Sequence, residues 1–263
     1  MEAEWEDKIS HHSLETLSKA KFNKVQLLPI TEDLVNLRNR MTKDMKELKE
    51  KLQNEPALQT WSALAEAVLC RLIIFNKRRG GETSRIPLES YTNRPSGKAR
   101  LDMVEIKGKR GRKVPVIITK DTKQALDVLV ATREKVGINK DNKYLFSMAR
   151  NGSTTHIRGR KCLKKYSESS GLEKPELITS TRLRKYTGTV SQVLDLNDQE
   201  LGWLARHMGH NIDIHKEFYR LHDSTIGLAK ISKLLSAVDQ GELANFSGKA
   251  LDELELSIEG DGK

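Results

Sequence analysis

The sequence contains few cysteines and no long apolar run. Its two cysteines, Cys70 and Cys162, have no CxxC neighbour, so neither a zinc ribbon nor a disulfide framework is indicated. Both are predicted to be buried thiols in a reducing compartment. The N-terminal residues are polar and acidic and do not form a secretory signal. No apolar run approaches the roughly 20 residues that a membrane span needs. These absences predict an intracellular, soluble protein without a membrane partner.

The charge of the chain is strongly basic and unevenly distributed. The 263 residues carry a net charge of +10. The segment from Lys77 to Lys120 holds 13 Lys and Arg residues against four Asp and Glu residues, which is a local charge of +9. Such a concentration favours a surface that faces phosphates, with nucleic acid as the partner.

The apolar pattern predicts a mainly helical fold with one small antiparallel β-hairpin. A long helix is expected over 28–52, with Thr31 as its N-cap, and a central core helix after Pro56 that ends at a two-glycine turn. The basic, glycine-rich stretch 104–118 predicts the hairpin, and 144–153 predicts a short strand or buried turn. Further helices are predicted at 119–137, 156–172, 179–196, 197–210, 213–221 and 224–238. The expected organisation is a tail over 1–27, one domain over 28–237 and an acidic tail over 238–263.

Four short motifs occur at characteristic spacings along the sequence. TRLRK contains Arg184, MGH contains His210, and EFYRL places Tyr219 nine residues after that histidine. Upstream, RGGE combines Arg79 with Glu82 just after the predicted central helix. Together these motifs resemble the catalytic domain of tyrosine recombinases, also called integrases, over most of the chain. The residues of the motifs are most similar to recombinases of eukaryotic Crypton-type transposons.

The resemblance implies a role for each motif. Arg79 and Arg184 would clamp a DNA phosphodiester, whose negative charge increases in the transition state, and His210 would donate a further hydrogen bond. Tyr219 would attack phosphorus and form a 3′-phosphotyrosine. Because the bond energy is kept in this intermediate, rejoining would need no cofactor, metal or ATP.

The family's general acid is a lysine on the β-hairpin, eight residues before a proline that starts the return strand. Counting back from Pro115 points to Lys107, and Lys109 is the near rival. Basic residues around the motifs are expected to contact double-stranded DNA. They are Lys77, Arg78, Lys109, Arg110, Arg112, Lys113 and Lys185.

The chain departs from the family at two places. Thr181 stands where the family usually has the histidine that assists the tyrosine, and a threonine hydroxyl cannot take a proton near neutral pH. Residues 1–27 are too short for the family's separate DNA-clamping domain, so we expect either a longer product or a captured gene that has lost the clamp. No carboxylate or cysteine completes a metal set with His207, His210 and His215, so no metal site is predicted.

Three functions therefore compete. The first is DNA breaking and rejoining, and the second is DNA binding without the reaction. The third is a nuclear interaction protein whose last predicted helix, within 224–238, docks on a partner. A dimer or tetramer on DNA remains open, and the expected location is the nucleus.

Overall fold

The computed structural model describes Pro29 and residues 31–94, 102–108, 111, 113–193 and 198–208. The chain divides into two units, and every described residue belongs to the unit Val25–Ile212. The other unit, residues 1–24 with 213–263, lies outside the described residues. The first elements are α1 (Thr31–Asn54), α2 (Leu58–Asn76), α3 (Gly80–Ser84), α4 (Leu88–Thr92), β1 (Asp102–Lys107) and β2 (Lys113–Ile118). They are followed by α5 (Lys120–Thr132), α6 (Gly159–Ser169), a 3₁₀ turn (Pro175–Leu177), α7 (Ser180–Val193) and α8 (Asp198–Met208).

Helix α2 forms the centre of the core, as its apolar pattern predicts. It packs against α1, α5 and α6, so apolar residues are buried around most of its circumference. The indole Nε1–H of Trp61 is also satisfied, because it donates to the backbone oxygen of Leu129 at 2.9 Å. Fully buried members include Leu64, Ala65, Val68, Leu69 and Ile73.

The same helix is long and apolar enough, by length and composition alone, to suit a membrane span. In the structure, 67% of its most apolar window is buried inside the protein. This burial is what a core helix requires, since its apolar surface then meets other side chains instead of water.

The predicted β-hairpin is confirmed by the antiparallel pairing of β1 with β2. The register runs from Asp102 opposite Ile118 to Lys107 opposite Lys113. Alternate residues of both strands face the core, as the period of two in a strand requires. These residues are Val104, Ile106, Val114, Val116 and Ile118.

The return strand begins two residues earlier than expected. It starts at Lys113, and Pro115 lies within it, opposite Glu105. A proline is tolerated here because its nitrogen faces away from the ladder. Ile117 shares this orientation, since it lies two residues further along, and both of its backbone groups bond the side chain of Asn76 at 2.7 and 2.9 Å. The outer edge of β2 is therefore covered by the end of α2.

The two glycines after α2 do not form the expected turn but begin helix α3. Gly80 is required for close packing against Gly159 rather than for a turn conformation. A Cβ atom on Gly80 would come within 3.2 Å of the Arg160 nitrogen, and one on Gly159 within 2.9 Å of the Gly80 oxygen. Helices α3 and α6 thus approach each other closely at their first turns.

Short elements account for the other differences from the predicted pattern. Helix α4 and the 3₁₀ turn were not expected, because elements of three to five residues are too short to show a period. Thr31 is the first residue of α1 rather than its cap, and its hydroxyl bonds that of Tyr186 at 2.8 Å. For 144–153, where a short strand or a buried turn was predicted, the structure has the buried turn: Leu145 and Phe146 lie between two isolated bridges, Pro87 with Tyr144 and Ser147 with His156.

Candidate nucleic-acid interface

The segment that follows α2 carries one of the predicted arginine motifs and begins with a left-handed residue. Lys77 ends α2 with φ 52° and ψ 37°, a conformation that favours glycine. Its N–H and that of Arg78 both donate to the Ile73 oxygen, which closes the end of the helix. The chain therefore turns sharply, and the carbonyl groups of Asn76 and Lys77 face α7 and α8.

Arg184 joins three elements that are far apart in sequence. It lies in the first half of α7 and is 4% exposed. One terminal nitrogen, Nη1, donates to the Lys77 oxygen at 3.2 Å and to the Met208 oxygen at 2.6 Å. The second predicted arginine motif is thereby held against the segment that carries the first, although 107 residues separate Arg184 from Lys77.

Arg79 is the more open arginine of the first motif. Its side chain is 38% exposed, and its Nη1 forms an ion pair with Glu82 at 3.0 Å. Glu82 is buried at 8% exposure and lies one turn further on in α3. The R-x-x-E spacing therefore fixes the Arg79 guanidinium at the N-terminal end of this short helix.

Arg78 is completely buried beside these two arginines. Its Nη2 donates to the Pro115 oxygen at 2.5 Å, which links the first arginine motif to the hairpin. Burial lowers the pKa of Arg78 to about 10, with Arg184 and Arg79 acting in the same direction and Glu82 in the opposite one. The four charged groups thus form one electrostatic cluster, hereafter the arginine cluster: Arg78, Arg79, Arg184 and Glu82.

Three other predicted residues lie on the elements that carry this cluster and are less buried. Lys77 is half-buried, and burial followed by the neighbouring Arg71 lowers its pKa. Lys185 is half-buried, whereas Thr181 on the first turn of α7 is exposed. A hydroxyl in that place can donate or accept a hydrogen bond but cannot serve as a base.

Lys107 and Lys113 are exposed and lie opposite each other at the last pair of the hairpin. Lys113 Nζ lies 4.0 Å from Glu105, an exposed pair that adds little stability. The remaining predicted residues fall outside the described part of the chain, so the choice between Lys107 and Lys109 stays open. They are Lys109, Arg110, Arg112, His210 and Tyr219.

Two residues at this site were missed as site residues by sequence reasoning. Asn76 is fully buried and bonds the hairpin edge, and His207 Nε2–H donates to its backbone oxygen at 3.2 Å. Burial, Arg78 and Arg184 lower the pKa of His207, while the bond to Asn76 raises it. A polar residue at the end of an apolar helix was the available signal for Asn76. His207 gave no signal except as a metal ligand, and the described residues contain no group of three metal-ligating side chains.

Comparison with known proteins gives matches only at the level of structure. No protein-family model matches the sequence, and no curated protein matches it. The chain resembles the XerH site-specific recombinase bound to palindromic difH substrate in a post-cleavage complex, with a TM-score of 0.53 and 16% identity. A pre-cleavage complex of XerH with difH substrate gives a TM-score of 0.50, also at 16% identity.

The alignments cover 79% and 73% of this chain but only 53% and 51% of the XerH chains. The chain therefore spans about half the length of the recombinases that it resembles. With its mainly helical architecture and two-stranded antiparallel sheet, it has the fold of a tyrosine recombinase catalytic domain.

Proposed function

We propose that this chain binds double-stranded DNA and breaks and rejoins its strands through a 3′-phosphotyrosine at Tyr219. The observation that carries the proposal is the docking of Arg184 on the Lys77 carbonyl, which brings two arginine motifs into one cluster. Planar guanidinium groups from different elements suit a phosphodiester, because they can donate to its oxygens from different sides. The structural similarity to two DNA complexes of one recombinase, XerH, supports the proposal that this fold binds DNA.

The proposed reaction exchanges one phosphodiester for another. The Tyr219 hydroxyl gives its proton to solvent and its oxygen bonds phosphorus. The bond from phosphorus to the 5′-oxygen breaks, and the leaving oxygen takes a proton from the hairpin lysine, Lys107 or its rival Lys109. Arg79 and Arg184 stabilise the charge on the other phosphate oxygens, with His210 as an added donor. Attack by a free 5′-hydroxyl reverses these steps and releases the tyrosine, so no cofactor is consumed.

Thr181 favours a second candidate function, a catalytically impaired DNA-binding protein. It is exposed and carries no group that can accept the proton of the tyrosine near neutral pH. A domain captured from a Crypton-type transposon, working in the nucleus as a DNA-binding or interaction protein, would keep the fold and the arginine cluster without turnover. Assembly as a dimer or tetramer on DNA is compatible with either function.

A nicked suicide duplex distinguishes the two functions. After cleavage the short strand diffuses away, so an active chain accumulates a covalent protein–DNA adduct on a denaturing gel. Tyr219→Phe should abolish the adduct, and Thr181→His should increase it, since a missing general base costs about 10²–10⁴-fold in rate. An adduct that persists in Tyr219→Phe shows that the nucleophile is another residue. If intact DNA binding is accompanied by no adduct in either the native chain or Thr181→His, the binding function is the correct one.

A salt titration tests where the duplex binds. Log affinity should fall with log salt by roughly 0.9 per phosphate neutralised. Replacing Lys109, Arg110 and Arg112 together by alanine should flatten the slope by up to about three units. The matched control replaces three exposed lysines of α1, Lys43, Lys46 and Lys51, by alanine and should leave the slope unchanged. An unchanged slope in the hairpin variant places the DNA surface elsewhere.

A further inference from the structure

The guanidinium of Arg78 is buried with some of its hydrogen-bond donors unpaired within the described part of the chain. The residue is 0% exposed, and its Nη2 donates to the Pro115 oxygen. Its Nε and Nη1 have no acceptor among the described residues. Buried hydrogen-bond donors are nearly always paired, because the lost contacts with water have to be replaced. These two donors therefore call for an explanation.

The charges around Arg78 point to an anion as the missing acceptor. Arg79 and Arg184 repel it, and Glu82 is the carboxylate that attracts it. Glu82 is already paired with Arg79 at 3.0 Å. Among the described residues, the cluster thus holds three cations, of which Arg79 is partly exposed, against one carboxylate, and a partly buried excess of positive charge is stabilised by a bound anion.

Another buried arginine of the same chain shows what a purely structural role looks like. Arg133 is 6% exposed, and its Nη1 donates to the Tyr144 oxygen at 3.0 Å. Its Nη2 donates to the Asn142 oxygen. Both terminal nitrogens of Arg133 have acceptors, and burial is the cause of its lowered pKa. Arg78 differs from Arg133 in two respects. Only one of its terminal nitrogens has an acceptor among the described residues, and two cations, Arg79 and Arg184, lie beside it.

We propose that Arg78 is a third phosphate-binding arginine of the site, donating Nη1–H to the DNA phosphate that Arg79 and Arg184 also bind. This inference rests on the proposed function and extends it to a residue outside the R-x-x-E and TRLRK motifs. The Nη2 bond to Pro115 would persist, so an occupied phosphate site would also hold the hairpin that carries Lys107. Because the guanidinium is closed to solvent in this structure, the phosphate reaches it through a local opening of the site.

The test measures duplex affinity and melting temperature of the full chain with Arg78→Met and, as the matched control, Arg133→Met. Methionine keeps much of the side-chain volume and removes the donors. Arg78→Met should lose about ten-fold or more in affinity for a short duplex at fixed salt, as expected for a charge-assisted bond. It should also lose the rise in melting temperature that inorganic phosphate gives over chloride of equal ionic strength. Arg133→Met should keep both the affinity and the phosphate effect in its folded fraction.

Each outcome decides between the inference and its rivals. Wild-type affinity in folded Arg78→Met overturns the inference and leaves Arg78 as a structural residue, satisfied by a buried water or not at all. If Arg184→Met weakens binding while Arg78→Met does not, the proposed function survives without this residue. If the native chain binds no duplex, the proposed function itself fails. Should Arg78→Met not fold, Arg78→Lys decides, since it keeps the charge but loses the fork; wild-type affinity in that variant also overturns the inference.

Discussion

Two buried polar clusters of this domain are built from similar residues but differ in how fully their hydrogen-bond donors are paired. In the cluster around Asn142, Arg133 is the one charged residue, and its terminal nitrogens donate to the backbone oxygens of Tyr144 and Asn142. The Tyr144 N–H in turn donates to the Asn142 side chain. At the end of α2, Arg78 and Arg184 share one site, and two Arg78 nitrogens have no acceptor among the described residues. The first cluster fastens a loop to the core. The cluster at the end of α2 contains these two hydrogen-bond donors without acceptors, and a binding site for an anion requires such donors.

The largest effect on stability should come from breaking the completed cluster. Asn142 is 1% exposed, and its amide donates to the Ser153 and Thr155 oxygens at 3.0 and 2.8 Å and accepts from the Tyr144 N–H. Asn142→Ala leaves these buried groups unpaired and should lower the free energy of unfolding by about 3 kcal/mol. Urea denaturation measures the change. Duplex affinity of the folded fraction should stay unchanged, and a loss of affinity would mean that the two clusters are coupled.

A smaller loss is expected at the junction between α2 and the hairpin. Asn76 holds the outer edge of β2 through both backbone groups of Ile117. Asn76→Ala should lower the free energy of unfolding by about 2 kcal/mol, less than in the buried loop because water can reach a freed strand edge. Hydrogen exchange of the Ile117 amide should accelerate more than that of core amides in α2. Equal acceleration of both would show global rather than local loosening.

A substitution at Lys77 should stabilise the fold instead of destabilising it. Its φ of 52° is unfavourable for any residue with a Cβ, so Lys77→Gly should raise the free energy of unfolding by up to about 1 kcal/mol. If Lys77 contacts a DNA phosphate, as proposed, the same variant loses this contact and its salt slope for duplex binding should flatten by about one unit. Lys46→Gly in the exposed middle of α1 is the control and should lose about 1 kcal/mol. A destabilised Lys77→Gly would mean that its side chain stabilises the fold.

The smallest effect concerns pH. Burial and the neighbouring Arg78 lower the pKa of His207 below its usual 6.5. Between the folded and the unfolded pKa the unfolded chain binds more protons, so stability should fall as pH drops below about 6.5 and level off below the folded pKa. His207→Gln can still donate to the Asn76 oxygen but does not titrate, so it should remove this part of the pH dependence. Identical pH profiles of unfolding for both chains contradict the assignment.

Sequence patterns predicted the apolar framework well, because the periods of α2 and the hairpin are long enough to be recognised. The RGGE and TRLRK motifs also identified two arginines that the fold brings into one cluster. What the sequence could not reveal depends on contacts across the chain, such as Asn76 bonding Ile117 or His207 bonding the Asn76 carbonyl. The burial of Arg78 was equally hidden, since adjacent arginines give no sign of which one faces solvent. The roles of His210 and Tyr219 remain predictions from spacing.

The most direct measurement of the central claim compares the duplex affinity of Arg184→Met with that of Arg133→Met at one salt concentration. Both variants remove a buried guanidinium that donates to backbone oxygens. If the arginine cluster binds a DNA phosphate, Arg184→Met should weaken binding by about ten- to a hundred-fold, and Arg133→Met should bind like the native chain once corrected for its folded fraction. If Arg184→Met binds as tightly as the native chain, the cluster at the end of α2 is a structural feature of the fold and not a phosphate site.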